Sequence, residues 1–320
     1  VAETRPDVVT MDVEMPGMGG LEAVERLMDE TPTPVLMLSA HTAEGADVTF
    51  DALERGAVDF FSKPGGEVST GVSREAERLV EAVRSAADAD LKAATRDRRE
   101  RGSAESAAAT TEPRPSGQPA AASPPESTAE PTVAVTVVIA ASTGGPSAVE
   151  RVVSALPMAD CRIVIVQHMP AAFTSRFAER LDAASAYDVR EATDGARIGS
   201  GEALVASGGT HTRIDSYRAG RLRVKLDDDD SQSVTPAADV TMRSAADVVD
   251  GPLVGVVLTG MGSDAAEGIR AMADAGARTL AQSEDTCVIY GMPKRAVATG
   301  SVDEVCDLDD VAAAIVGGEA

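Results

Sequence analysis

The sequence predicts an α/β chain of two parallel-sheet units joined by a flexible linker. Three observations point there. Short, β-branched apolar runs alternate with helical spacing at both ends of the chain, the pattern of strands buried on both faces with helices between them. A stretch near residues 91–132 breaks that pattern with six prolines and many Ala and Ser. A length of 320 residues with 43% hydrophobic content suits two domains with real cores, and excludes a fully disordered chain.

In residues 1–90, runs at 8–11, 35–38 and 58–62 read as strands. Helical spacing appears at 21–28 and 50–55, and a last helix opens near Ser73, a suitable N-cap. That β-α-β-α-β-α order calls for a parallel sheet. After Glu100 the chain reads RGSAESAAATTEPRPSGQPAAASPPESTAEP, which cannot bury enough apolar surface to offset the entropy of ordering it. Residues 133–320 repeat the alternation at larger scale, with strands at 133–141, 163–166, 204–206, 253–259 and 279–281. Helices are expected at 147–156, 173–183, 237–249 and 264–275, giving a doubly wound sheet sandwiched by helices.

Lys plus Arg number 29 against 52 Asp plus Glu, a net charge of −23. Such a surface repels phosphate backbones and anionic lipid, which disfavours nucleic-acid and membrane-surface roles. Aromatics at 2% also leave no stacking platform for single strands. Lysine occurs only as Lys63, Lys92, Lys225 and Lys294; acidity with few lysines suits a protein working in high salt, where self-repulsion is screened. Cys161, Cys287 and Cys306 lack C-x-x-C spacing, so free, partly buried thiols in a reducing compartment are expected. No apolar run approaches the ~18 residues of a membrane span, and no signal-peptide pattern opens the chain. A cytoplasmic protein without membrane insertion is expected. The acidic run 227–230 reads as a solvated turn.

In an open parallel sheet, chemistry gathers where strands end in loops that lead into helices. The strand at 133–141 ends in Ser142-Thr143-Gly144-Gly145-Pro146, and the one at 163–166 in Gln167-His168-Met169-Pro170. The strand at 253–259 ends in Gly260-Met261-Gly262-Ser263-Asp264. A serine is a poor nucleophile until a base removes its proton. At a strand-to-helix turn followed by glycines, backbone N–H groups can approach a reacting carbonyl; the same serine also suits a helix N-cap. His168 is one candidate base, and His211, after Ser207-Gly208-Gly209-Thr210, is another. Asp264 can hold an imidazole and offset its charge, or simply cap a helix. Gly260 to Ala265 also spells G-x-G-x-x-A, with Glu284 and Asp285 following, so a nucleotide-binding oxidoreductase is the rival reading. In the first unit Asp12, Ser39 and Lys63 each end a strand: a carboxylate to accept a phosphoryl group, a hydroxyl to bond it and a cation to neutralise it.

Together these motifs resemble the chemotaxis protein-glutamate methylesterase family, CheB, a response-regulator receiver joined to a hydrolase. TMDVEMPGMGGLEA, LSAHT and FFSKP resemble the receiver; IAASTGGP, IVQHMP, LTGMGSDAAEG and AQSEDTCVIYGMP resemble the esterase. The resemblance implies a partial receiver-like (flavodoxin-like) domain over 1–90, a linker over 91–132 and a methylesterase domain over 133–320. It implies hydrolysis of glutamyl methyl esters on methyl-accepting chemoreceptors, with release of methanol, and deamidation of receptor glutamines. Ser142 would be the nucleophile, His168 the base and Asp264 its partner, with backbone N–H groups near Thr143 and Met261 facing the oxyanion and no cofactor for the ester chemistry. It demotes His211, the dinucleotide reading and a noncatalytic signalling module. It further implies phosphorylation of Asp12 by a chemotaxis histidine kinase, with Ser39 and Lys63 as the switch and Mg²⁺ at Asp12 and the Glu14 backbone carbonyl. Receivers of this kind carry an acidic Mg²⁺-binding pair well upstream, and only eleven residues precede Asp12. The receiver is therefore expected to lack its first strands, to begin at an exposed sheet edge and to have an incomplete metal site.

Overall fold

The computed structural model describes residues 1–39, 43–63, 72–91, 134–157, 161–229 and 232–317. The expected linker, 91–132, lies outside the described residues apart from Leu91. The first unit is a parallel sheet in the order β1 (Val9–Asp12), β2 (Val35–Ser39), β3 (Asp59–Ser62), with α1 (Gly20–Glu30), α2 (Ala43–Glu54) and α3 (Val72–Ala87) between and after the strands. Central β2 is the most apolar of the three because neighbours flank it on both sides. Helix α2 starts well before residue 50, where the sequence pattern first declares it, and buries Ala46, Phe50 and Leu53. Ser73 lies inside α3 rather than capping it.

The second unit runs β4 (Val135–Ala141), α4 (Gly145–Ala155), β5 (Cys161–Gln167), α5 (Ala171–Ala184), β6 (Asp188–Glu191), β7 (Arg197–Ile198) and β8 (Glu202–Val205). It continues with β9 (His211–Arg218), β10 (Arg221–Asp227), α6 (Ala238–Val248), β11 (Leu253–Val257) and α7 (Ala266–Asp274). It ends with β12 (Arg278–Gln282), α8 (Met292–Ala298), β13 (Glu304–Cys306) and α9 (Val311–Val316). Seven strands form one parallel sheet in the order β13-β12-β11-β4-β5-β8-β6, and β7-β10-β9 form a small antiparallel sheet.

Strand β4 is the hinge of this topology. Val137, Ile139 and Ala141 face the layer of α4, α5 and α9, while Val138 and Ala140 face α6, α7 and α8. Both faces are covered, which is why β4 reads as an unbroken apolar run. The chain first builds outward from β4 through β5, then returns to lay β11, β12 and β13 on its other side. The order reverses at β4, and the helices that follow β4 and β11 pack on opposite faces, so the loops at their carboxyl ends part and leave a crevice. On the second face the β9–β10 hairpin adds Leu222 and Val224 to the core. Fully buried Arg162 ties that hairpin to the sheet: its Nε donates to Thr136 Oγ1 at 2.8 Å and its Nη2 to the Tyr217 hydroxyl at 3.1 Å.

The two units share one core. Four of the five phenylalanines in the chain meet at the seam: Phe50 and Phe60 from the first unit, Phe173 and Phe177 from α5. Phe60 stacks on Phe173 with centroids 4.5 Å apart, and Phe50 on Phe177 at 5.8 Å. Around them Arg180 joins Glu54 of α2 to Glu150 of α4, and Arg176 lies 3.7 Å from Asp47. Phe50, Phe173 and Phe177 are almost wholly removed from water, so this contact contributes through buried aromatic area, whereas the exposed Arg176–Asp47 pair adds only ~0–1 kcal/mol.

Candidate active site

Ser142, His168 and the turn holding Asp264 stand at the carboxyl ends of adjacent strands. Parallel pairing sets Ala141 opposite Gln167, and the ladder continues one step: the His168 N–H donates to the Ala141 carbonyl and the Ser142 N–H to the Thr259 carbonyl, both at 3.0 Å. The serine is thereby fixed between the ends of β5 and β11. Gly260 is packed against it so tightly that a Cβ there would stand 2.7 Å from Ser142 Cβ and 2.6 Å from Met292 Sδ. Gly144 carries φ +73°, the left-handed value that turns the strand into α4 at no steric cost.

His168 and Asp264 form a direct pair, Nε2 to Oδ2, at 2.7 Å, both largely withdrawn from solvent. With Nε2 engaged by the carboxylate, Nδ1 is the nitrogen left to take a proton. Asp264 does not cap the helix that follows it, as its position in the sequence suggests. Helix α7 begins at Ala266, after Ala265 in the left-handed conformation at φ +76°. The carboxylate instead accepts the first N–H groups of α6, Ala238 at 2.6 Å and Asp239 at 2.9 Å, and that of Ala265 at 3.0 Å. Burial pushes the Asp264 carboxyl up, but the His168 hydrogen bond and charge and the backbone donors outweigh it, so its pKa lies below the ordinary carboxylate value.

Thr143 and Met261 flank the serine, and among the described residues neither backbone N–H is spent on a hydrogen bond. Backbone donors left unspent beside a nucleophile are what an oxyanion requires. The Thr143 hydroxyl reaches across the seam to Asp59 of β3; burial pushes the Asp59 carboxyl up to about 6, against the hydrogen bonds from Thr143 and the Phe60 N–H. Three further side chains brace the loops and carry no sequence signal beyond their place beside the motifs. Buried Gln167 donates from Nε2 to the Ser142 carbonyl at 2.8 Å and the His168 carbonyl at 3.2 Å. The Thr259 hydroxyl donates to the Thr143 carbonyl at 3.0 Å, and Gln282 accepts the Thr259 N–H at 2.8 Å.

The remaining sequence candidates fall as follows. His211 is fully buried at the start of β9, and its Nδ1 accepts the Ala237 N–H at 3.0 Å; it steadies the entry to α6 rather than lying in an open loop. Gly260, the first glycine of the G-x-G-x-x-A run, is packed against Ser142 and Met292, so it serves to seat the serine. Asp227 ends β10 and accepts from Arg213 Nε at 2.5 Å, so it belongs to a strand and an ion pair, not to a solvated turn. Cys161, Cys287 and Cys306 are buried thiols, and no disulfide joins them among the described residues.

In the first unit Asp12 is ion-paired to Lys63, and this hydrogen bond, with that of the Glu14 N–H at 3.2 Å, holds its carboxyl below the ordinary range although burial opposes it. Ser39 is fully buried; its hydroxyl donates to the Gly45 carbonyl at 3.1 Å and accepts from Thr49 at 2.8 Å. For Mg²⁺ the described residues offer the Asp12 carboxylate and the Glu14 carbonyl, and no group of three His, Cys, Asp or Glu gathers among them. That donor set does not make up a Mg²⁺ site, whose ion needs octahedral oxygens. Among the described residues no helix is long and apolar enough to cross a membrane.

Known proteins resemble the chain in both units. Residues 137–315 match the family model for the CheB methylesterase, and residues 1–69 that for the response regulator receiver domain. A protein-glutamate methylesterase/protein-glutamine glutaminase of Haloarcula marismortui is 55% identical over 99% of this chain and 86% of its own length. A protein of the same name from Natronomonas pharaonis is 51% identical over 96% of this chain and 83% of its own length. Among solved structures, the catalytic domain of the Thermotoga maritima CheB methylesterase is 34% identical, covers 57% of this chain and 98% of its own, and superposes with a TM-score of 0.55. The chain that builds a serine, an imidazole and a carboxylate around the reversal point of its sheet belongs to the CheB methylesterase family.

Proposed function

We propose that this chain is a protein-glutamate methylesterase that acts on methyl-accepting chemoreceptors in the cytoplasm, with protein-glutamine glutaminase activity at the same site. The observation that carries the reading is the His168–Asp264 pair at 2.7 Å beside a serine pinned between two strand ends. Ser142 Oγ attacks the carbonyl carbon of the glutamyl ester while His168 accepts its proton. The oxyanion that forms faces the N–H groups of Thr143 and Met261. Asp264, kept ionised, offsets the imidazolium. Collapse of the tetrahedral intermediate breaks the bond to the methoxy oxygen, His168 returns its proton, and methanol leaves. Water, activated by the same imidazole, cleaves the acyl-enzyme and frees the glutamate. With a glutamine substrate the same steps release ammonia.

Asp12 is proposed as the acceptor of a phosphoryl group from a chemotaxis histidine kinase. A phosphorylated Asp12 would rearrange its pairing with Lys63, which directly follows β3. Strand β3 also carries Phe60 and Asp59, the residues that lean on α5 and Thr143, so a shift of β3 is a physical route to unmasking the esterase. The test is methanol release from methylated receptor membranes. Ser142→Ala should abolish it; retained release would remove Ser142 from the nucleophile role.

A further inference from the structure

We infer that Lys294 and Arg295 form a cationic lip that docks the acidic polypeptide segment bearing the glutamyl ester, an inference that rests on the esterase reading above. The two residues are consecutive, exposed, and share a groove with Gly262, Ser263 and Gly291. The groove joins the proposed site directly. Gly291 and Met292 both donate their N–H to the Gly260 carbonyl, at 3.1 and 2.7 Å, Gly260 is packed on Ser142, and Ser263 precedes Asp264. Neither cation has an ion-pair partner among the described residues. On the neighbouring helices the opposite holds, with Arg243 and Arg270 both drawn to Glu267.

Charge complementarity identifies the occupant. The chain carries a net charge of −23, and Lys294 is one of only four lysines. Each turnover converts a neutral ester into a carboxylate, so a segment with several modifiable glutamates becomes more acidic as the reaction proceeds. Two strongly acidic surfaces repel one another unless one offers a local cation at the contact. An adjacent Lys and Arg at the mouth of the crevice supply that contact. They would set which ester is presented, through binding rather than through the chemical step.

Two synthetic peptides, each with one glutamyl methyl ester, test this: one flanked by glutamates, the other by glutamines. The full chain is assayed for methanol release at the lowest KCl that keeps it folded. The native chain should favour the glutamate-flanked peptide about tenfold in kcat/KM, through KM, and the preference should shrink toward molar KCl as the screening length falls to ~3 Å. Lys294→Gln combined with Arg295→Gln should bring the ratio near one. Lys225→Gln, on the β9–β10 hairpin, also removes a positive charge from the chain and should leave the ratio intact. An unchanged ratio in the double variant, or an equal loss in the Lys225 variant, overturns the lip. No methanol from either peptide with the native chain overturns the esterase reading itself, and the lip with it.

Discussion

Asp239 and Asp264 cap each other's helices. The Asp239 N–H at the start of α6 donates to Asp264 Oδ1 at 2.9 Å, and Asp239 Oδ1 accepts the Gly268 N–H, in the first turn of α7, at 2.6 Å. Burial, with the nearby Asp264 charge adding to it, raises the Asp239 carboxyl above its ordinary value despite the Gly268 bond. Asp239→Ala should strand the buried Gly268 donor and cost about 1–2 kcal/mol. Because α6 and α7 together aim Asp264 at His168, kcat should fall several-fold with KM little changed. Asp239→Asn keeps an acceptor and should restore most of both, as thermal melting and methanol-release kinetics would record.

Asp264→Asn should be more severe. Oδ2 accepts from His168 and Ala238, and Oδ1 from Asp239 and Ala265. Either orientation of an amide therefore sets an NH₂ group against N–H donors. The imidazolium also loses its counter-charge, so kcat should drop about 10³–10⁴-fold. The native carboxyl lies below its ordinary pKa, so its contribution to stability is full above the ordinary value and lost as pH falls through the lowered one. The Asn variant should melt lower than the native chain at neutral pH, and the gap should narrow in acid.

How much of this was legible in the sequence depended on burial. Strands β4, β5 and β11 announce themselves because both faces are covered. Edge strands β6 and β13 do not, since each buries a single side chain, Val189 and Cys306. The β9–β10 hairpin did carry a signal, the alternation of Leu222 and Val224 with Arg221, Arg223 and Lys225, which length-based attention to apolar runs passes over. Ser142, His168 and Asp264 could be located because the end of a parallel strand is a position readable from the pattern. Their braces could not. The partners of Gln167 are backbone carbonyls, and the crossed caps of Asp239 and Asp264 join residues 25 apart in the chain. Nor does any local pattern show that Phe50 and Phe60 would meet Phe173 and Phe177, because packing across a seam leaves no period in either segment.

That seam supports a prediction of its own. Phe50 touches Phe60, Phe173 and Phe177 at once, and truncating a buried aromatic typically costs about 3–5 kcal/mol. Phe50→Ala should separate the melting of the two units, with the first unfolding at lower temperature, and should raise the unphosphorylated esterase rate by loosening the first unit from α5. Differential scanning calorimetry and methanol release would report the two effects independently; a single unshifted transition with an unchanged rate would count against the seam as the restraint.

Asp59 makes the same contact sensitive to pH. Its carboxyl is raised by burial to about 6, from an ordinary value of 3.8. The docked form therefore binds more protons than the separated form between those values. Docking should be strongest where Asp59 is neutral in both forms, weaken as pH rises from about 4 to about 6, and level off above. Asp59→Asn removes the half-buried charge while an amide oxygen can still accept the Phe60 N–H, 2.9 Å away in the native chain. At pH 7.5 the variant should melt higher than the native chain and show a lower unphosphorylated esterase rate. Below pH 4 the two melting temperatures should converge. A variant that melts lower at pH 7.5 would mean that the ionised carboxylate strengthens the seam, the opposite of what its surroundings dictate.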